Sequence, residues 1–168
     1  PGPSRLYNAM ISPLIPFAMR GAIWYQGEAN RGDGMTYTEK MQTLIEGWRK
    51  AWGQGEFPFL FVQLAPCRYF GDRNNGLDPV EPASAEIRPS QRFPYVWQAQ
   101  LEALKIPGTG MAATVDLDGP ALHPARKQEV GERLAGWALA KVYGKGEAVY
   151  SGPLYKAIKE ESGALRVS

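Results

Sequence analysis

The chain holds one cysteine, Cys67, and one histidine, His123, and that scarcity excludes a good deal. A single thiol forms no internal disulfide. One thiol and one imidazole do not supply the shell of a usual transition-metal site, and no metal or other cofactor is expected. No apolar run approaches the roughly 18 residues that suggest a membrane span. Blocks of like charge are missing as well: 19 Lys and Arg against 17 Asp and Glu leave a formal charge of +2, mixed along the chain. Neither nucleic acid nor membrane is therefore expected as a partner. There is no initiator Met and no signal peptide. Pro1-Gly2-Pro3-Ser4 leads straight into an apolar pattern, and Ala164-Leu165-Arg166-Val167-Ser168 reads as the opening of a strand. Both ends read as cuts inside a longer protein.

What is present suits one globular domain. The 168 residues are 44% apolar and 11% aromatic, enough to bury a sizeable core. Ser4 is placed to cap a short helix bounded by Pro13 and Pro16. Residues 18–25 read as a strand, and Arg31-Gly32-Asp33-Gly34 as a solvated turn rather than an adhesion motif. From Thr36 to Trp52, Tyr37, Met41, Leu44, Ile45, Trp48 and Trp52 recur at helical spacing, with Gly53-Gln54-Gly55 as the stop. Residues 57–64 are apolar on both faces, as in a covered parallel strand. Residues 65–93, with Pro66, Pro79, Pro82 and Pro89, show no period and read as a lid over a site or as a disordered insertion. A second helix is expected over 93–106, with Val96, Trp97, Leu101 and Leu104 inward. A strand follows over 111–115, and a last helix over 124–143 carries Val130, Leu134, Trp137, Ala138 and Val142 on one face. This alternation predicts an α/β fold with a parallel sheet and helices on both faces. Residues 1–146 form that domain, and 147–168 lead into a β-rich module.

The first strand ends in Gln26-Gly27-Glu28-Ala29-Asn30, a cluster of polar groups at the carboxyl edge of the sheet, where open α/β folds place their reactive groups. His123 follows the third strand, beside acidic residues and at the start of a helix, and so belongs to the same edge. A base and an orienting carboxylate, His123 and Glu28, make up two-thirds of a nucleophilic triad. Gln26, two residues before Glu28 on an extended segment, points to the same side and can donate N–H to a developing oxyanion.

These residues are recognisable. Residues 6–14 (LYNAMISPL), 21–30 (GAIWYQGEAN), 57–65 (FPFLFVQLA) and 116–143 (DLDGPALHPARKQEVGERLAGWALAKVY) resemble the sialate O-acetylesterase family, carbohydrate esterases of the SGNH-hydrolase type. The resemblance runs in order over nearly the whole chain. It implies a flavodoxin-like three-layer α/β/α domain that removes O-acetyl groups from sugars through a serine ester. His123 matches the family's catalytic histidine. Glu28 and Gln26 match the acid and the oxyanion donor of the QGE block, and Asn30 and Tyr25 lie in the same block as substrate-binding candidates. Asp two or three residues before the histidine, frequent in the family, is replaced here by Ala121 and Pro120. The orienting group is then Glu28, Asp118 or a backbone carbonyl. No G-Q-S-N serine block is present, so the resemblance implies a nucleophile on an N-terminal segment outside this chain and an incomplete, inactive domain within it. A periplasmic or secreted setting is also implied. The competing reading is an inactive esterase-scaffold fragment acting as a carbohydrate-binding or structural module, with Trp24, Tyr25, Tyr69, Phe70, Tyr95 and Trp97 available to stack on sugar rings.

Overall fold

The computed structural model describes residues 4–66, 93–117, 125–147 and 149–168. Three strands, β1 (Ala22–Trp24), β2 (Phe59–Val62) and β3 (Thr109–Ala112), pair in parallel in the order β1-β2-β3. Ile23 sits opposite Leu60, and Phe61 opposite Met111. Helices α1 (Thr36–Trp52), α2 (Phe93–Ala103) and α3 (Lys127–Lys141) connect or follow them. The alternation read from the sequence is the alternation found.

The layers follow from β2, whose four side chains are all buried. Phe59 and Phe61 project into one core with Tyr37, Met41 and Ile45 of α1 and Val96, Ala99 and Ala103 of α2. Leu60 and Val62 project the other way, into a second core with Ala112 and with Val130, Leu134 and Trp137 of α3. Each such large side chain contributes roughly 1.5–3 kcal/mol of burial. The result is a helix–sheet–helix sandwich. Trp137 reaches so far onto the sheet that a Cβ on Gly110 would lie 2.5 Å from its ring, and its Nε1 donates to the Met111 carbonyl at 2.8 Å.

Both ends of β2 are closed by side-chain hydrogen bonds, and periodicity does not find Gln100, Thr114 or Arg49 as their source. Gln100 accepts from the Leu64 N–H and donates to the Val62 carbonyl, each at 3.0 Å. Trp97 Nε1 donates to the Leu64 carbonyl at 2.7 Å, and Thr114 Oγ1 to the Gln63 carbonyl. At the opposite edge the buried Arg49 guanidinium donates to the Phe57 carbonyl at 2.9 Å and to the Pro107 carbonyl at 2.7 Å.

Three expectations need correction. Ser4 caps nothing: the short helix is a π turn over Tyr7–Ile11 running into a 3₁₀ turn over Ser12–Leu14, and no side chain caps the π turn. Leu101 does not face inward but is 38% exposed, because α2 turns its small residues Ala99 and Ala103 to the core and Thr38 Oγ1 of α1 donates to the Ala99 carbonyl at 2.9 Å. β3 begins and ends earlier than read, and Val115 is exposed beyond it. Val149 to Tyr155 precede the last two strands and form no strand themselves. Instead Tyr150 packs edge-on against Trp137 at 4.7 Å, and the strands that follow, β4 (Ile158–Glu161) and β5 (Ala164–Val167), make an antiparallel hairpin exposed along its length. The proline-rich stretch read as a lid lies almost wholly outside the described residues.

Replacing Arg49 with Met keeps the stem and removes the donors that its guanidinium gives the Phe57 and Pro107 carbonyls. The expected cost is about 2–3 kcal/mol, read as a lower urea midpoint with an unchanged slope.

Candidate active site

All three parallel strands deliver their carboxyl ends to one edge of the sheet. At the end of β1 the chain does not continue extended. Gly27 adopts φ +144°, a conformation that favours glycine, and a Cβ there would lie 2.9 Å from the Tyr37 hydroxyl. Residues Glu28–Asn30 then form a 3₁₀ turn. The expectation that Gln26 and Glu28 share a side by strand alternation is therefore corrected. A helical turn instead brings Gln26 to Asn30, and Gln26 Nε2 donates to Asn30 Oδ1 at 2.7 Å.

The turn is fixed from several directions. Asn30 N–H donates to the Gly27 carbonyl at 2.8 Å, and the Gly27 N–H donates to Glu28 Oε2 at 3.1 Å. Tyr37 OH, from the first turn of α1, donates to the Gln26 carbonyl at 2.9 Å. Burial, and secondarily the negative charge of Glu28, push the Tyr37 hydroxyl up to about 12, so it stays a donor at any ordinary pH. Asn30 Nδ2 donates to Asp33 Oδ2 at 2.6 Å, and Lys40 Nζ reaches the same oxygen at 2.6 Å. Gln26, Glu28 and Asn30 are half-buried.

Helix α3 meets this loop from the far side of β2. Lys127, in its first turn, stands over the Tyr25 ring with Nζ 4.3 Å from the centroid, a cation–π contact. One turn and a half further along α3, Arg133 forks onto Asp116 with two bonds of 2.6 Å and also donates to the Ala113 carbonyl. That fork holds the Asp116 carboxyl down at about 2. The residues between these two anchors include Asp118 and His123, which lie outside the described residues. Tyr25 is half-buried beneath Lys127, and its ring packs against both cores.

Two of the six aromatic residues considered for sugar stacking have structural duties. Trp24 packs edge-on against Trp48 at 5.8 Å, and Trp97 is tied to Leu64. Tyr95 is exposed, and Tyr69 and Phe70 lie outside the described residues.

Residues 2–140 match the family described as carbohydrate esterase, sialic acid-specific acetylesterase. The chain belongs to this family. It is 36% identical to the sialate O-acetylesterase of Mus musculus and 33% identical to that of Homo sapiens, over 94% of its own length in each case. It spans only 30% and 31% of those relatives. In structure it superposes on a carbohydrate acetylesterase from Xanthomonas citri with a TM-score of 0.77 and 36% identity, covering 96% of this chain and 35% of that one.

Within the family motifs, the structure draws in residues to which the sequence reading gave no role at the site. Tyr37 had been placed in the hydrophobic stripe of α1, and Asp33 in a solvated turn. Lys127 and Arg133 stand in the motif around His123, but only their contacts reveal that they hold its two flanks. The spacing Gln26–Asn30–Asp33, at four and three residues, was the available signal for a polar turn.

Two outcomes follow from this geometry. Because the folded Asp116 carboxyl lies below its ordinary value near 3.8, its stabilisation is full above that pH and is lost as pH falls towards about 2; an acid titration followed by the Arg133 side-chain NMR signals reads this window. Gly27→Ala strains the turn and presses on the Tyr37 hydroxyl. It is expected to cost about 1–3 kcal/mol, measured by thermal unfolding.

Proposed function

We propose that the protein carrying this chain is a serine esterase that removes O-acetyl groups from sugars, with an acetylated sialic acid or hemicellulose as substrate. The observation that carries the proposal is the meeting of the Gln26–Asn30 turn and the first turn of α3 at one edge of the sheet, joined through Tyr25 and Lys127. His123, four residues before Lys127, is the general base. It takes the proton from a serine hydroxyl as that oxygen bonds to the acetyl carbonyl, and returns it to the sugar oxygen as the C–O bond breaks. Water then releases acetate by the same route. Glu28 orients the imidazole: its Oε2 accepts one N–H from Gly27, and the remaining lone pairs can accept another from the ring. Gln26 stabilises the tetrahedral oxyanion, while Asn30 and Tyr25 face the sugar.

The serine is assigned to a segment preceding residue 1, within a G-Q-S-N block. The position of β1 supports this. It is an edge of the described sheet, its Ile23 is 70% exposed, and beside it lies a groove of about 140 Å³ lined by Arg20, Ile23, Leu60, Ala138 and Tyr143. A parallel strand added there brings its own carboxyl end to the edge that holds Gln26.

In the protein extended upstream to that serine, hydrolysis of an aryl acetate is expected. His123→Ala should remove at least about 10³ of kcat, and Gln26→Ala about 10²–10³. Glu28→Gln should lower kcat by an order of magnitude or more, and unchanged activity in that variant would remove Glu28 from its role. No hydrolysis of any acetyl ester by the extended protein, together with retained glycan binding, would replace the enzyme with an inactive binding scaffold.

A further inference from the structure

The Arg31-Gly32-Asp33 turn carries a carboxylate that the esterase reading leaves without a task. Two hydrogen bonds lead from it to the catalytic edge, and a third ties it to Lys40. Lys40 Nζ and Asn30 Nδ2 both donate to Asp33 Oδ2 at 2.6 Å, and Asn30 Oδ1 in turn accepts from Gln26 Nε2 at 2.7 Å. An ionised carboxylate only accepts hydrogen bonds, and an ammonium only donates them. A carboxamide does both and can sit either way round. With the acceptor fixed at Asp33, the Asn30 carboxamide must turn its nitrogen toward Asp33 and its oxygen toward Gln26. Gln26 must then turn its nitrogen toward Asn30. One Nε2 hydrogen of Gln26 is used in that bond, and the second stays on the same nitrogen.

We propose that Asp33 is a positioning residue that sets the orientation of the Gln26 carboxamide through Asn30, so that Gln26 presents N–H rather than C=O to the oxyanion. Lys40 holds Asp33 in place from the solvent side, with 52% of its own side chain exposed against 25% for Asp33. The Lys40 bond and then the Asn30 bond keep the Asp33 carboxyl below its ordinary range, so the acceptor persists through neutral and mildly acidic pH. Without it, a flipped Gln26 carboxamide would aim a carbonyl dipole at developing negative charge. The loss would fall on the transition state and leave substrate binding almost untouched.

This inference rests on the esterase reading for its kinetic consequence and on geometry alone for its structural one, and its test separates the two. In the upstream-extended protein, Asp33→Ala is expected to lower kcat for aryl acetate hydrolysis about tenfold with little change in KM. Asp33→Asn keeps an oxygen that Lys40 holds toward Asn30, and is expected to stay within about threefold of the parent. In a Gln26→Ala background, Asp33→Ala should cost less than about twofold more, because the group it positions is gone. Equal losses with and without Gln26 would overturn the proposal, as would a loss confined to folded yield. Side-chain amide NMR of the same variants decides the matter even if no ester is hydrolysed: Asp33→Ala should move the resonances of both Asn30 and Gln26. A shift at Asn30 with Gln26 unmoved would overturn the relay while leaving the esterase reading to its own assay.

Discussion

Strand β2 is buried on both faces, and side chains close its ends. That condition constrains everything else in the domain. A strand so placed needs a helix layer on each side and parallel partners on each edge, and it needs donors and acceptors where its ladder stops. Gln100, Trp97 and Thr114 supply them at the carboxyl end, Arg49 at the amino end. The carboxyl end is thereby held still, and the loops that leave β1 and β3 emerge beside a fixed platform. The Gln26–Asn30 turn therefore leaves β1 beside a strand end that side-chain hydrogen bonds hold in place.

On that platform two loops are tied by different chemistry. The Gln26–Asn30 turn is held by short-range hydrogen bonds, by Tyr37 from beneath and by Asp33 beyond it. The start of α3 is held by charge, through Lys127 on Tyr25 and Arg133 on Asp116. Exposed ion pairs contribute little to stability in general. Here their use is directional: the Arg133 fork and the Lys127 contact flank the residues that carry the histidine, one on each side.

The architecture was legible in the sequence because it rests on periodicity. The stripe from Tyr37 to Trp52 predicted α1 to the residue, and the doubly apolar run around Phe59 and Phe61 predicted a covered parallel strand. Motif resemblance supplied the family, which the comparisons show. What stayed hidden was polar and local. Gln100 and Arg49 are buried inside helices that read as amphipathic, and no spacing rule distinguishes a buried clamp from a solvated residue. The bend at Gly27 defeated an argument from strand alternation, since one residue at positive φ changes which neighbours share a side. Around α2, Val96, Trp97 and Leu104 pack on the core as their spacing suggests, but Leu101 does not, and the small residues Ala99 and Ala103 are buried there.

The proposed esterase requires a serine that reaches this edge from outside the 168 residues. Its most direct test is covalent labelling of the intact, upstream-extended protein with an aryl phosphonate that mimics the tetrahedral acyl intermediate, followed by mass spectrometry of the labelled peptide. The account predicts one labelled serine, preceding residue 1, and loss of labelling in His123→Ala. A label on Ser4, Ser12 or another serine of this chain, or labelling indifferent to His123, would contradict it.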